Sequence, residues 1–136
     1  MKDIFLDTNI AIDLLSEREP FYTSAAILFT LGDRKQVKLY ISSLSFSTIF
    51  YLLRRQMGTT KAMEVLCRFR QLVHVLPVKE TTVDKALNSD FTDFEDVIQY
   101  YSAIENNIKT IITRNVKDYK ASKVPVITPD EFLRSV

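Results

Sequence analysis

The chain has 136 residues, 46% of them hydrophobic and 26% charged, and a formal net charge of +1. That length and composition predict one domain over residues 1–136, because a domain of roughly 150 residues buries about 70% of its unfolded surface. Near-balanced charge excludes a global attraction to nucleic acid, a single cysteine excludes a disulfide framework or a cysteine zinc site, and no apolar run reaches the roughly 20 residues of a membrane span, so a soluble, cytoplasmic protein without membrane contact is expected.

The opening residues 3–6 read as a short apolar strand that delivers Asp7-Thr8-Asn9 into a helix over Ile10 to Leu15. The charged turn from Ser16 to Glu19 and Pro20 ends it. A second helix is expected from Phe21 to about Leu31, ending at Gly32-Asp33, and Val37–Ile41 alternates at period two as a strand. Leu44, Ile49, Phe50, Leu52 and Leu53 mark a third helix, closed by Met57-Gly58. Thr59 or Thr60 can cap a fourth, through roughly Gln71, in which Cys67 shares helical spacing with Met63 and Leu66 and reads as a buried thiol.

Val73-His74-Val75-Leu76 follows as a strand, and its histidine, the only one in the chain, reads as structural. Thr81 to Leu87 is a short helix. Asp93 to Glu105 is the clearest helix of the C-terminal half, with Val97, Ile98, Tyr101 and Ile104 along one side. Lys109–Thr113 is a strand, Val124–Ile127 a last strand whose proline suits an edge, and Thr128-Pro129-Asp130-Glu131 a cap, N1 proline and acidic first turn for a terminal helix. Strands alternating with helices predict an α/β fold: three layers, α/β/α, around a central, mostly parallel sheet.

In such a sheet the carboxyl ends of the strands share one edge, where Asp7, the residues after Ile41 and those after Ile112 can surround a single crevice. The acidic run Asp90 to Asp96 adds the start of a helix, with Asp93 as N-cap and Asp96 at N3. Each acid also has a plainer role. Asp93, Glu95 and Asp96 can simply complement the helix dipole, and Asp7 can simply cap the first helix by accepting from the amide of Asn9 or Ile10. Taken together, however, carboxylates gathered at one edge repel one another unless a divalent cation sits between them, and Mg²⁺ or Mn²⁺ takes one or two carboxylates plus water and phosphate oxygens. That is the donor set of a metal-dependent phosphodiesterase.

The segments FLDTNIAIDLL, DFEDVIQYYSAIENNIKTIITRNVKDY and VPVITPDEFL resemble, in order and spacing, the PIN domain, the fold of VapC-type toxins. The resemblance spans nearly the whole chain. It implies a Mg²⁺- or Mn²⁺-dependent endoribonuclease cleaving single-stranded RNA, a small antitoxin as protein partner, and a homodimer. Asp7 matches the family's first acid and Asp96 the acid opening the late helix, so these two are the implied metal ligands. Thr113-Arg114-Asn115 matches a strand-end motif whose third residue is usually Asp. The chain departs from the pattern there, and again at Thr48, which occupies the position of a Glu in the helix after the second strand.

With two acids plainly kept, one hydrated ion is favoured over a two-metal arrangement. Asn115 and Asp93 join Asp7 and Asp96 as catalytic candidates, while Asn9, Thr48, Thr113, Arg114 and Asp118 are candidates for positioning water or phosphate. Arg114 can hold a phosphate bidentately, and Lys117, Lys120 and Lys123 form a loose basic rim. Arg54, Arg55, Lys61, Arg68 and Arg70 read as solvated helix charges, and Phe46, Phe50 and Tyr51 as core or dimer-seam aromatics. The alternative is a catalytically weakened PIN-like module that binds RNA or protein. A receiver-like phosphotransfer domain fits poorly, since Asp3 precedes the first strand and Lys109 begins one.

Overall fold

Strand β1 (Lys2–Leu6) is exposed at its first two residues and buried over Ile4-Phe5-Leu6, the pattern of a strand running into the middle of a sheet. The computed structural model describes residues 1–136 throughout. After β1 come α1 (Thr8–Leu15), α2 (Tyr22–Asp33), β2 (Val37–Ser42), α3 (Ser43–Met57), α4 (Thr59–Arg70), β3 (His74–Leu76), α5 (Glu80–Leu87), α6 (Phe94–Glu105), β4 (Ile111–Ile112), β5 (Val126–Ile127) and α7 (Pro129–Arg134), with a 3₁₀ turn at Val116–Tyr119 between β4 and β5. No helix is long and apolar enough to cross a membrane.

The five strands pair in the order β3-β2-β1-β4-β5, and every pairing is parallel. The chain builds outward from β1 to β3 and then returns to lay β4 against the other side of β1. That reversal opens a crevice between the carboxyl ends of β1 and β4. Alternation along β1 divides the core: Ile4 and Leu6 join a cluster with Leu28, Leu39, Ile41, Ile49 and Phe69, whereas Phe5 faces Tyr100, Ala103, Ile111 and Tyr119. Helices α1–α4 and α7 therefore cover one face and α6 the other, giving the predicted three layers.

Several boundaries differ from expectation for local reasons. Helix α2 continues through Gly32 to Asp33, because Gly32 lies against the sheet; a Cβ there would stand 2.6 Å from Leu39 Cδ1. Gly58, at φ +83°, ends α3 and also opens α4, so neither Thr59 nor Thr60 is the cap. Cys67 is exposed, because the buried side of α4 is carried by Ala62 and Phe69. His74 is exposed on the edge strand and lies 5.1 Å from the ring of Tyr40. Tyr51 is 55% exposed, whereas Phe46 packs on Phe69 at 5.7 Å.

Candidate active site

Asp7 ends β1 in an extended conformation, φ −63° and ψ 147°, and caps α1 with Oδ1 accepting the Asn9 amide hydrogen at 3.0 Å. Its other oxygen is also held. Oδ2 accepts from the Thr113 hydroxyl at 3.0 Å and from the Tyr119 hydroxyl at 3.1 Å, and only 3% of the residue reaches solvent. The cap and the site are thus one residue in one geometry, because the strand that buries the backbone of Asp7 also aims its carboxylate into the crevice.

Thr8, the next residue, ties α1 to α6. Its amide donates to Gln99 Oε1 at 2.8 Å, while its hydroxyl lies 3.0 Å from Gln99 Oε1 and 3.0 Å from Glu95 Oε1 and adjoins the Ser45 hydroxyl. Gln99 in turn points its amide nitrogen at Asp96 Oδ1 and at the Tyr119 hydroxyl, each at 3.4 Å. Glu95 and Gln99 stand four residues apart and share a face of α6. The start of that helix is fixed by Asp93, whose Oδ1 accepts the Asp96 amide hydrogen at 3.0 Å.

These groups wall a cleft of about 240 Å³ lined by Asp7, Thr8, Asn9, Ile12, Thr48, Asp93, Glu95, Asp96 and Asp118. Five of the nine are acidic and none is basic. Every acid of the cleft that is partly withdrawn from water is shifted, by burial first and, at Glu95 and Asp96, by neighbouring carboxylates as well. Burial pushes Asp7 above the ordinary carboxylate range against the pull of its donors and of Arg114. Burial, and then the charges of Asp7, Asp93, Asp118 and Glu95, push Asp96 up to about 7. Glu95 is raised by burial more than the Thr8 hydroxyl lowers it. The Tyr119 hydroxyl is raised by burial and by the neighbouring carboxylates, so it stays protonated and remains a donor.

Of the residues singled out by sequence, Asp7, Asn9, Thr48, Asp93, Asp96 and Asp118 meet in this cleft. Three others have different places. Thr113 is fully buried and donates to Asp7, so it orients a carboxylate and does not reach phosphate. Asn115 lies outside the cleft lining, where it starts the 3₁₀ turn and donates its amide hydrogen to Thr113 Oγ1 at 3.1 Å. Arg114 also lies outside the cleft lining and its charge is offset: its Nε pairs with buried Asp13 at 2.7 Å, and its guanidinium lies 4.0 Å from the Phe21 ring centre. Glu95, expected only as a helix-start charge, lines the cleft one turn before the buried Gln99 on the same face of α6. Tyr119 carries no such signal, because its placement depends on the 3₁₀ turn.

The donor set suits a hard divalent cation: carboxylate oxygens, amide and hydroxyl groups, and unrelieved negative charge. No three acidic side chains converge closely enough to make a ready-made cage. The set therefore fits an ion held through one or two carboxylates that keeps most of its water, as Mg²⁺ does.

A family model described as PIN domain matches residues 3–117. Ribonuclease VapC1 of Aquifex aeolicus is 27% identical over 136 residues, covering 95% of this chain and 92% of that protein. The fold is also similar to a crystal structure of DNA-bound VapBC from Salmonella typhimurium, with a TM-score of 0.71 and 16% identity over 95% of this chain and 99% of the other. A third similarity is to the crystal structure of VapC20 of Mycobacterium tuberculosis, described as a Sarcin-Ricin loop cleaving toxin, with a TM-score of 0.63 and 20% identity over 79% of this chain and 86% of the other.

Proposed function

The chain belongs to the PIN domain family, and on that footing we propose that it is a divalent-metal-dependent endoribonuclease cleaving single-stranded RNA, the toxin of a toxin–antitoxin pair. The observation that carries this reading is the cleft at the sheet's carboxyl edge, where five carboxylates meet no basic side chain. The ribonuclease name of the Aquifex aeolicus relative supports the reaction class, and the VapBC structures of similar fold support a small antitoxin as partner.

Asp7 and Asp96 would hold Mg²⁺ or Mn²⁺. When bound, such an ion lowers the pKa of water and neutralises charge on a scissile phosphate. The chain's own groups supply the rest. Thr113 and Tyr119 hold Asp7 in one orientation, and Gln99 links Asp96 to the same network. Asn9 and Thr48 present an amide and a hydroxyl to the cleft, where they can orient water or a phosphate oxygen. Asp93, Glu95 and Asp118 add negative charge around the ion. At neutral pH Asp96 stands near its own midpoint, so metal binding would displace its proton.

The test is cleavage of single-stranded RNA with and without Mn²⁺, using wild type, Asp7→Asn and Asp96→Asn. Each substitution is isosteric and should abolish Mn²⁺-stimulated cleavage while leaving the fold intact. Wild-type protein that binds RNA yet cuts it under no divalent ion would replace this reading with that of a PIN-like binding module.

A further inference from the structure

The acidic cleft raises a physical problem for an RNA-cleaving site. A single strand carries a phosphate charge at every nucleotide, and five carboxylates without a cation among them repel it beyond the one phosphate that a metal ion neutralises. The flanking phosphates need cations next to the cleft. Arg114 lines neither the cleft nor the cavity beside it, and Asp13 offsets its charge. The only other ion pair in the protein is Lys85 with Glu105, which leaves Lys117 and Lys120 free.

Both lysines line a second cavity of about 270 Å³ between the Asp90–Thr92 segment and the 3₁₀ turn. It adjoins the cleft, since Asp118 lines both. Its apolar wall is Phe91, packed 4.9 Å from the Tyr100 ring and 6.0 Å from the ring of Tyr119, whose hydroxyl holds Asp7. The two lysines offset Asp90 and Asp118, so this groove presents no net repulsion, whereas the cleft gathers five carboxyl groups and no cation.

We propose that this groove is the subsite for the nucleotide flanking the scissile bond, with Lys117 and Lys120 holding its phosphodiester as single-stranded RNA leaves the acidic cleft. The inference rests on the ribonuclease reading, and its test separates the two. Binding of a fluorescein-labelled single-stranded RNA is followed by anisotropy in a chelator, so that no cleavage occurs, across a range of salt. Wild type is compared with Lys117→Gln/Lys120→Gln and with Lys38→Gln/Lys109→Gln, which removes the same charge at the opposite edge of the sheet.

Loss of the one phosphodiester contact that the two lysines share should lower the slope of log affinity against log salt by about 0.7, the value per phosphate for a single strand, while the control pair leaves it unchanged. With Mn²⁺ present, the groove variant should raise KM several-fold and keep kcat within about twofold. An unchanged slope, or an equal fall in the control pair, overturns the subsite even if wild type cleaves RNA. A lysine-dependent slope in a protein that never cleaves upholds the groove and overturns the ribonuclease reading alone.

Discussion

The Tyr119 hydroxyl donates to Asp7 Oδ2 at 3.1 Å across 112 residues of sequence, joining the 3₁₀ turn after β4 to the end of β1. With the Thr113 hydroxyl on the same oxygen and the Asn9 amide on the other, three donors fix one carboxylate. Such donors favour the ionised form, which is the form that binds a cation, against the burial that disfavours it.

Tyr119→Phe removes one of these donors and little volume. Mn²⁺ affinity measured by calorimetry should fall about tenfold, the lower end of what loss of a group supporting a ligand brings. Unfolding at neutral pH should show a loss of about 1 kcal/mol or less, because Thr113 still serves Oδ2. Unchanged Mn²⁺ affinity would leave Tyr119 with a packing role only.

Glu95→Gln keeps an oxygen able to accept from Thr8 and removes a charge from the cleft. Mn²⁺ affinity should drop by about 10- to 100-fold, with stability unchanged or slightly raised because one repulsive charge is gone. Thr48 lines the same cleft from α3, so Thr48→Glu on the Glu95→Gln background should return part of the lost affinity. Full affinity in the Glu95→Gln single variant would make Glu95 a helix-start charge and nothing more.

The raised carboxylates also set a pH dependence. Asp96 holds its proton up to about pH 7 in the folded protein, against an ordinary value of 3.8, so the folded state binds more protons between those values. Stability from this group is therefore gained as pH falls through 7 and lost as pH rises through it. Asp7 and Glu95 shift in the same direction. In a chelator, Tm should be higher near pH 5.5 than near pH 8, and Mn²⁺ should raise Tm more near pH 8, where the carboxylates are already ionised. A Tm that rises with pH in the chelator, or a Mn²⁺ effect greater near pH 5.5, would count against coupled acids at this site.

The layers and the strand sequence were legible because periodicity, caps and turns agree locally. Thr128 is the expected cap of α7, Asp93 caps α6, and Pro125 precedes an edge strand. The gathering of Asp7 and Asp96 was legible through the rule that parallel strands share a carboxyl edge. What escaped depends on side-chain partners that no spacing encodes. Arg114 adjoins the strand end as expected, yet Asp13, 101 residues earlier, takes its guanidinium. Cys67 keeps helical spacing with apolar neighbours, but Met63 is also exposed, so that stripe of α4 faces outward.

The pairing of Arg114 with Asp13 leads to the last prediction. Asp13 is 1% exposed and its Oδ1 has no hydrogen-bond partner, so its charge is compensated mainly by Arg114 through Oδ2, with a smaller contribution from the charge of Arg18. Removing the arginine leaves a buried, unpaired carboxylate, which is costlier than losing the attraction itself. Arg114→Leu should destabilise the protein by about 2–4 kcal/mol, and Asp13→Leu added to it should recover much of that, since replacing both partners of a buried pair by apolar groups is often neutral. Chemical denaturation of the two single variants and the double variant measures the coupling directly. Additive losses in the double variant would mean that Asp13 is stabilised by its surroundings rather than by Arg114, and would return the guanidinium to the pool of cations available for RNA.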